Sequence, residues 1–240
     1  MNNNHINVSL KNKVLQSLGL PDGGFEEKIR LLSPRENRIR MDILISMAEG
    51  IIVNINDLMS TEEHIDIKSV LGRLRELDLI HWDQLSGDVT VAYPFSGVPT
   101  PHRVTLAGMS PAYSMCAIDA LGIPSMFTDA MIESECALCG ETITINVKDN
   151  LPVAKPDTIV VGLGTMDAVD TNGCCDSSCG SNEPTSISTS CCPAIQFYCS
   201  EEHWQKANEK NWTTAKDKLT LAEAFEVSAV IFGGTLSKTE

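Results

Sequence analysis

Nine cysteines in 240 residues are the most reactive groups this sequence offers. Five of them crowd into GCCDSSCGSNEPTSISTSCCP, residues 173–193, as Cys174, Cys175, Cys179, Cys191 and Cys192. The other four are Cys116, Cys136, Cys139 and Cys199. Thiolates are nucleophiles and ligands for soft metals, so the question is which of these act together and on what. A disulfide framework is disfavoured: the chain is long for a stapled mini-domain, the cysteine count is odd, and the first twenty residues lack the basic-then-apolar pattern of a secretory signal. The expected compartment is the cytoplasm, where thiols stay reduced.

Cys116 and Asp119 lie three apart in SMCAIDAL, a stretch that reads as helix. That spacing sets both side chains on one face, within reach of a common ligand. A carboxyl on so apolar a helix is costly if buried, and burial raises its pKa towards the range of a general acid. Spacing alone favours the plainer arrangement, with Asp119 facing solvent and Cys116 packed as a small hydrophobe. Cys136 and Cys139 form CALC in a turn between two expected strands, half of a zinc knuckle. No second C-x-x-C completes it, and a redox C-x-x-C would need to open a helix in a thioredoxin-type unit. Cys191 and Cys192 precede the expected strand AIQFYC, which ends at Cys199. Strand alternation sends this neighbouring pair to opposite faces, so only one of the two can enter a given pocket. Cys174, Cys175 and Cys179 sit in a Gly/Ser-rich loop suited to gathering a ligand, or are exposed thiols without a task.

Two thiolates from distant segments can grip a soft metal ion in near-linear or three-coordinate fashion. If that metal carries a carbon group, thiolate donation loads the carbon with electron density, and a neighbouring carboxylic acid can protonate it. The stretches YSMCAIDALGIP, SECALCG followed by ITINV, and CCPAIQFYCSEEHW resemble, in that order, the organomercurial (alkylmercury) lyases. The resemblance covers about residues 35–205. It implies that Cys116, Cys191 and Asp119 make up the mercury site, that Asp119 also shuttles the proton, and that Cys136 is structural. It further implies an organomercurial substrate, a hydrocarbon and Hg(II) as products, and no organic cofactor. Cellular thiols act as co-reactants, and a mercuric reductase is the expected recipient of Hg(II). Cys192, Cys174, Cys175 and Cys179 stand as accessory ligands. The alternative is a thiol-rich binding protein or sensor for Hg, Zn or Cu without lyase activity.

The elements that must position these groups read as α+β. Residues 1–30 form an arm. Residues 31–97 follow the order of a winged helix-turn-helix: a helix opened by Ser33–Pro34 and closed near Gly50, a short strand at Ile51–Val53, a short helix near Asn56–Met59, a helix over Asp66–Leu77, then a hairpin through LIHWDQ and DVTVAYPF. Residues 98–240 form a catalytic domain with a mostly antiparallel sheet, interrupted by the Cys/Ser/Gly-rich loop 164–190. FSGVPTPHRVTLAG reads as a linker, with His102 and Arg103 at a surface. Ser110–Pro111 is expected to open the Cys116 helix, Gly122 and Pro124 to end it, and Thr220 with Glu223 to form a capping box.

Net charge is −14. After residue 105 there are 7 Lys/Arg against 18 Asp/Glu. Such a surface repels phosphate backbones and anionic membranes. Lys68, Arg73 and Arg75 on the candidate recognition helix share it with Asp66, Glu76 and Asp78, so DNA binding is disfavoured and a packing or lid role is expected. The apolar runs TIVVGLG and VSAVIFGG fall far short of the roughly 20 residues a membrane span needs.

Overall fold

A computed structural model describes residues 8–18, 20–59, 64–164, 192–210 and 215–236. The clump Cys174, Cys175 and Cys179, and Cys191 with them, lie outside the described residues.

The fold is mixed α+β, and its strands pair antiparallel throughout the described residues. Helices α1 (Val8–Ser17) and α2 (Gly24–Ile29) come first. Helix α3 (Pro34–Ala48) begins as the sequence predicts: the Glu36 N–H donates to Ser33 Oγ, and the Ser33 N–H donates to the Glu36 carboxylate, with Pro34 at the first helical position. Helices α4 (Ile55–Met59) and α5 (His64–Glu76) lead into β1 (Ile80–Trp82) and β2 (Val89–Ala92), the expected hairpin. The strand expected at Ile51–Val53 does not form; Asn54 makes only an isolated bridge to Asp88. On α5, Arg75 stacks over the Trp82 ring at 5.0 Å, and Arg73 pairs with Glu76 at 3.3 Å.

The stretch read as a linker is part of the main sheet. It contributes β3 (Phe95–Ser96) and β4 (Arg103–Leu106), followed by β5 (Ala112–Ser114). With β6 (Ala130–Glu135), β7 (Thr142–Lys148) and β8 (Leu151–Lys155) these make an eight-stranded sheet, in the order β1-β2-β3-β5-β4-β6-β7-β8. Hydrogen bonding therefore runs without a break past residue 97. His102, expected at a surface, is fully buried; its Nδ1 meets Ser134 Oγ at 2.8 Å and its ring abuts Phe197 edge-on. Burial holds it neutral, with its pKa lowered to about 4.

A second sheet of three strands has the order β10-β9-β11, from β9 (Val160–Gly164), β10 (Ile195–Tyr198) and β11 (Ala215–Thr220). Strand β9 is buried along its whole length, as a central strand covered on both faces must be. Helix α7 (Glu201–Glu209) follows β10 and is capped by Ser200, whose Oγ accepts from the His203 N–H at 3.2 Å. Helix α8 (Leu221–Phe232) starts with the predicted Thr220–Glu223 capping box.

Between these layers lies α6 (Ala117–Met126), with every residue from Ala117 to Pro124 buried. A helix that is apolar all round belongs in a core. Gly122 and Pro124 do not end it, as expected from sequence, because packing against α8 carries it on to Met126. A Cβ at Gly122 would sit 2.2 Å from a ring carbon of Phe232. We expect Gly122→Ala to destabilise the fold by about 1–3 kcal/mol, read as a lower denaturant midpoint at unchanged slope.

Candidate active site

Helix α6 begins later than Ser110–Pro111 predicts. Residues Ala112–Ser114 are drawn into the sheet as β5, pairing with β3 and β4. Cys116 thereby becomes the N-cap of α6, with extended backbone (φ −154°, ψ −179°). Asp119 sits at the third helical position, and its N–H donates to Cys116 Sγ at 3.5 Å. The sulfur thus does the work of an N-cap serine oxygen. Cys116 and Asp119 still face one another, but through a cap rather than through one turn of helix. Asp119 is 1% exposed, so the solvent-facing arrangement that spacing favours does not occur.

The third member of this cluster is Cys192. Its thiol donates to Asp119 Oδ2 at 3.7 Å, and its sulfur lies with Cys116 Sγ and the Asp119 carboxylate, all within 4.8 Å of one another. All three side chains are essentially excluded from solvent. The family resemblance implies Cys191 for this role, and Cys191 lies outside the described residues. Cys192–Ala194 forms a single 3-10 turn, and β10 begins at Ile195. The side chain that the turn directs at Asp119 is that of Cys192.

Burial dominates the protonation of the cluster. It raises Asp119 to about 7, against the opposing pull of hydrogen bonds from the Cys116 and Cys192 thiols and the Cys116 backbone. Burial also pushes the Cys116 thiol well above its ordinary value, and the neighbouring Cys192 and Asp119 push it further. Burial thus favours the protonated forms of Cys116 and Asp119, and leaves Asp119 able to give or take a proton near neutral pH. The pocket is a set of two cysteine sulfurs and one carboxyl that can surrender protons when a cation arrives to replace them.

Cys136, which the resemblance treats as structural, stands apart from this cluster. It is grouped with Cys139, Cys199 and His203, with one ligand atom from each within 4.8 Å of the others. His203 is a residue the sequence reading missed. The available signal was Cys199 and His203 four apart, a mixed pair that a search for a second C-x-x-C does not find.

The alkylmercury lyase family model matches residues 95–233, more than half of the chain. The chain belongs to the alkylmercury lyase family. Within that family it is 28% identical over 162 residues to an alkylmercury lyase of Bacillus cereus and, equally, to one of Clostridium butyricum. Each alignment covers 66% of this chain and 65% of the relative, so the chain spans about two thirds of the length of the lyases it matches. In fold it is similar to the crystal structure of the mercury-bound form of MerB2, with a TM-score of 0.66, 21% identity, and 95% and 98% of the two chains covered. The family match includes Cys116, Asp119 and Cys192, as well as the Cys136–His203 group.

Proposed function

We propose that this protein cleaves carbon–mercury bonds by protonolysis, releasing a hydrocarbon and retaining Hg(II). The observation that carries this reading is the buried meeting of two cysteine sulfurs with a carboxyl at Cys116, Asp119 and Cys192. The two sulfurs supply the two soft ligands a mercury ion takes, and Asp119 lies against both.

The balance is simple. One thiol exchanges with the thiolate that delivers R–Hg, forming protein S–Hg–R and releasing the carrier thiol. The second thiol then replaces carbon on mercury. Its proton passes through the Asp119 carboxyl to the carbon, which leaves as R–H, and mercury remains bridged between two sulfurs. The proton that reaches carbon comes from a cysteine, so neither an oxidant nor an organic cofactor is needed. Carrier thiols of the cell or a mercuric reductase then remove the metal, and the cytoplasm, with its thiol pool, is the compartment that suits this cycle. No described helix is long and apolar enough to cross a membrane.

Residues 98–240 constitute the catalytic part in this reading; within the stretch 1–30 read as an arm, α1 and α2 bury Val14, Leu15 and Phe25 in the core. Residues 31–97 form a winged-helix-like module, which the order α3, α4, α5, β1, β2 supports. Its Arg73 and Arg75 are engaged with Glu76 and Trp82, which supports a packing role over nucleic-acid contact.

The test is to incubate the reduced protein with phenylmercury and excess small-molecule thiol. Benzene is expected in many-fold excess over protein. Tight Hg(II) binding with no benzene would instead establish a soft-metal carrier or sensor.

A further inference from the structure

The second cysteine cluster has a geometry of its own. Cys136 closes β6 and opens the turn to β7. Its backbone carbonyl accepts from the Gly140 N–H at 2.9 Å, and Gly140 has φ 71°, a left-handed conformation that glycine adopts without strain. This tight turn swings Cys139 back over Cys136. From the other side, Cys199 directly follows β10, and His203 lies in the first turn of α7. His203 Nδ1 lies 3.4 Å from Cys136 Sγ and 3.6 Å from Cys139 Sγ. The Cys199 N–H donates to Cys136 Sγ at 3.4 Å, and the backbone N–H groups of Cys139 and Leu138 bond the same sulfur. A sulfur that collects backbone donors in this way is prepared to carry negative charge.

We infer that Cys136, Cys139, Cys199 and His203 form a tetrahedral zinc site that is structural in kind. Four ligand atoms around Zn(II), with bonds of about 2.3 Å to sulfur and 2.0–2.1 Å to nitrogen, stand roughly 3.8 Å apart for sulfur pairs and roughly 3.6 Å apart for a sulfur and a nitrogen. The two sulfur–nitrogen separations here lie within about 0.2 Å of that value. The set is three sulfurs and one imidazole, a ligand combination of structural zinc sites. Its spacing is C-x2-C from a hairpin turn and C-x3-H across a helix N-terminus.

With all four positions filled by protein, the site has no open place for substrate. It is thus chemically unlike the Cys116–Asp119–Cys192 cluster, which offers two sulfurs and an acid. The imidazole favours zinc over a softer ion. Cys139 is exposed and gives the metal an entry path. The Cys199 thiol donates to Glu141 Oε2 at 3.7 Å, and in the zinc complex the metal would take the place of that proton. Three thiolates and a neutral imidazole leave the complex with one net negative charge. The site would tie the β6–β7 turn to the junction of β10 and α7, two segments more than 60 residues apart that the Ala137 N–H to Phe197 carbonyl bond already brings together. The inference does not depend on the lyase reading.

The experiment is metal analysis of the full chain, reduced, equilibrated with one equivalent of Zn(II) and passed through a desalting column. The same proteins are then loaded with Co(II) for spectroscopy. We expect one zinc per chain, and the ligand-field spectrum of tetrahedral thiolate-bound cobalt, in the wild type and in the double variant Cys116→Ser/Cys192→Ser. We expect loss of both signals in Cys139→Ser and in His203→Asn. Cys139 is exposed, so its replacement leaves the core intact, and circular dichroism verifies the fold. The inference is overturned if the reduced wild type retains no zinc. It is equally overturned if Cys139→Ser keeps the metal while Cys116→Ser/Cys192→Ser loses it, which would assign the metal to the other cluster.

Discussion

Cys192→Ser is expected to abolish hydrocarbon release from phenylmercury, while Cys191→Ser keeps most of it. The two positions are adjacent, chemically identical in sequence, and followed by the same proline. Among the described residues, Cys192 brings its sulfur to the Asp119 carboxyl from this pair's side of the site. A serine there preserves volume and a hydrogen-bond donor but binds soft metals poorly, so the second bond to mercury is lost. Loss of a reacting group of this kind costs at least about 10³-fold in turnover. Cys116→Ser should match it, and the double variant should be little worse than either single one, because the two sulfurs act as a unit. Benzene measured by gas chromatography decides the matter. If Cys191→Ser is inactive and Cys192→Ser retains full activity, the assignment of the second sulfur is wrong.

Asp119→Asn is the second large effect. It keeps the shape of the side chain but removes the transferable proton. Release should fall by about 10²–10⁴-fold, the usual contribution of a positioned acid–base group. Hg(II) should still bind, since both sulfurs remain. The same variant has a signature in stability. The folded carboxyl has its pKa raised to about 7, from 3.8. Between those values the folded protein binds more protons than the unfolded chain. The wild type is therefore penalised as pH rises through that window, by up to about 1.4 kcal/mol per pH unit. Asparagine carries no such penalty. The stability of the variant relative to wild type should climb from pH 4 to pH 7 and level off above pH 8. His102, whose lowered pKa works in the opposite direction, is common to both proteins and cancels in the difference. Urea denaturation at four pH values measures this, and a flat difference would mean that the carboxyl is not a buried acid.

Local signals are legible in this sequence and pairing over distance is not. Ser33, Ser200 and Thr220 cap their helices as their spacing to the following residues implies, since a cap needs only three or four neighbours in sequence. Ser110–Pro111 carries the same signature as Ser33–Pro34 and fails, because β3 and β4 recruit Ala112–Ser114 into the sheet. The prolines of FSGVPTPH suggest a linker, yet the segment is short enough to join two strands of one sheet. Within the site, Cys116 and Asp119 were legible from their spacing together with the family resemblance. The choice between Cys191 and Cys192 was not, because it depends on where β10 starts, and that is set by the pairing of Ile195 with Leu163. The Cys/His tetrad was illegible for a related reason: half of it lies in a hairpin turn and half across a helix cap more than 60 residues away.

Strand β10 is four residues long, with Cys192 shortly before it and Cys199 immediately after it. Its four pairs with β9 act as a ruler that sets both sulfurs at once. A slip of one residue would turn each side chain to the opposite face and dismantle both clusters together. Damage at one end of this strand is therefore felt at the other.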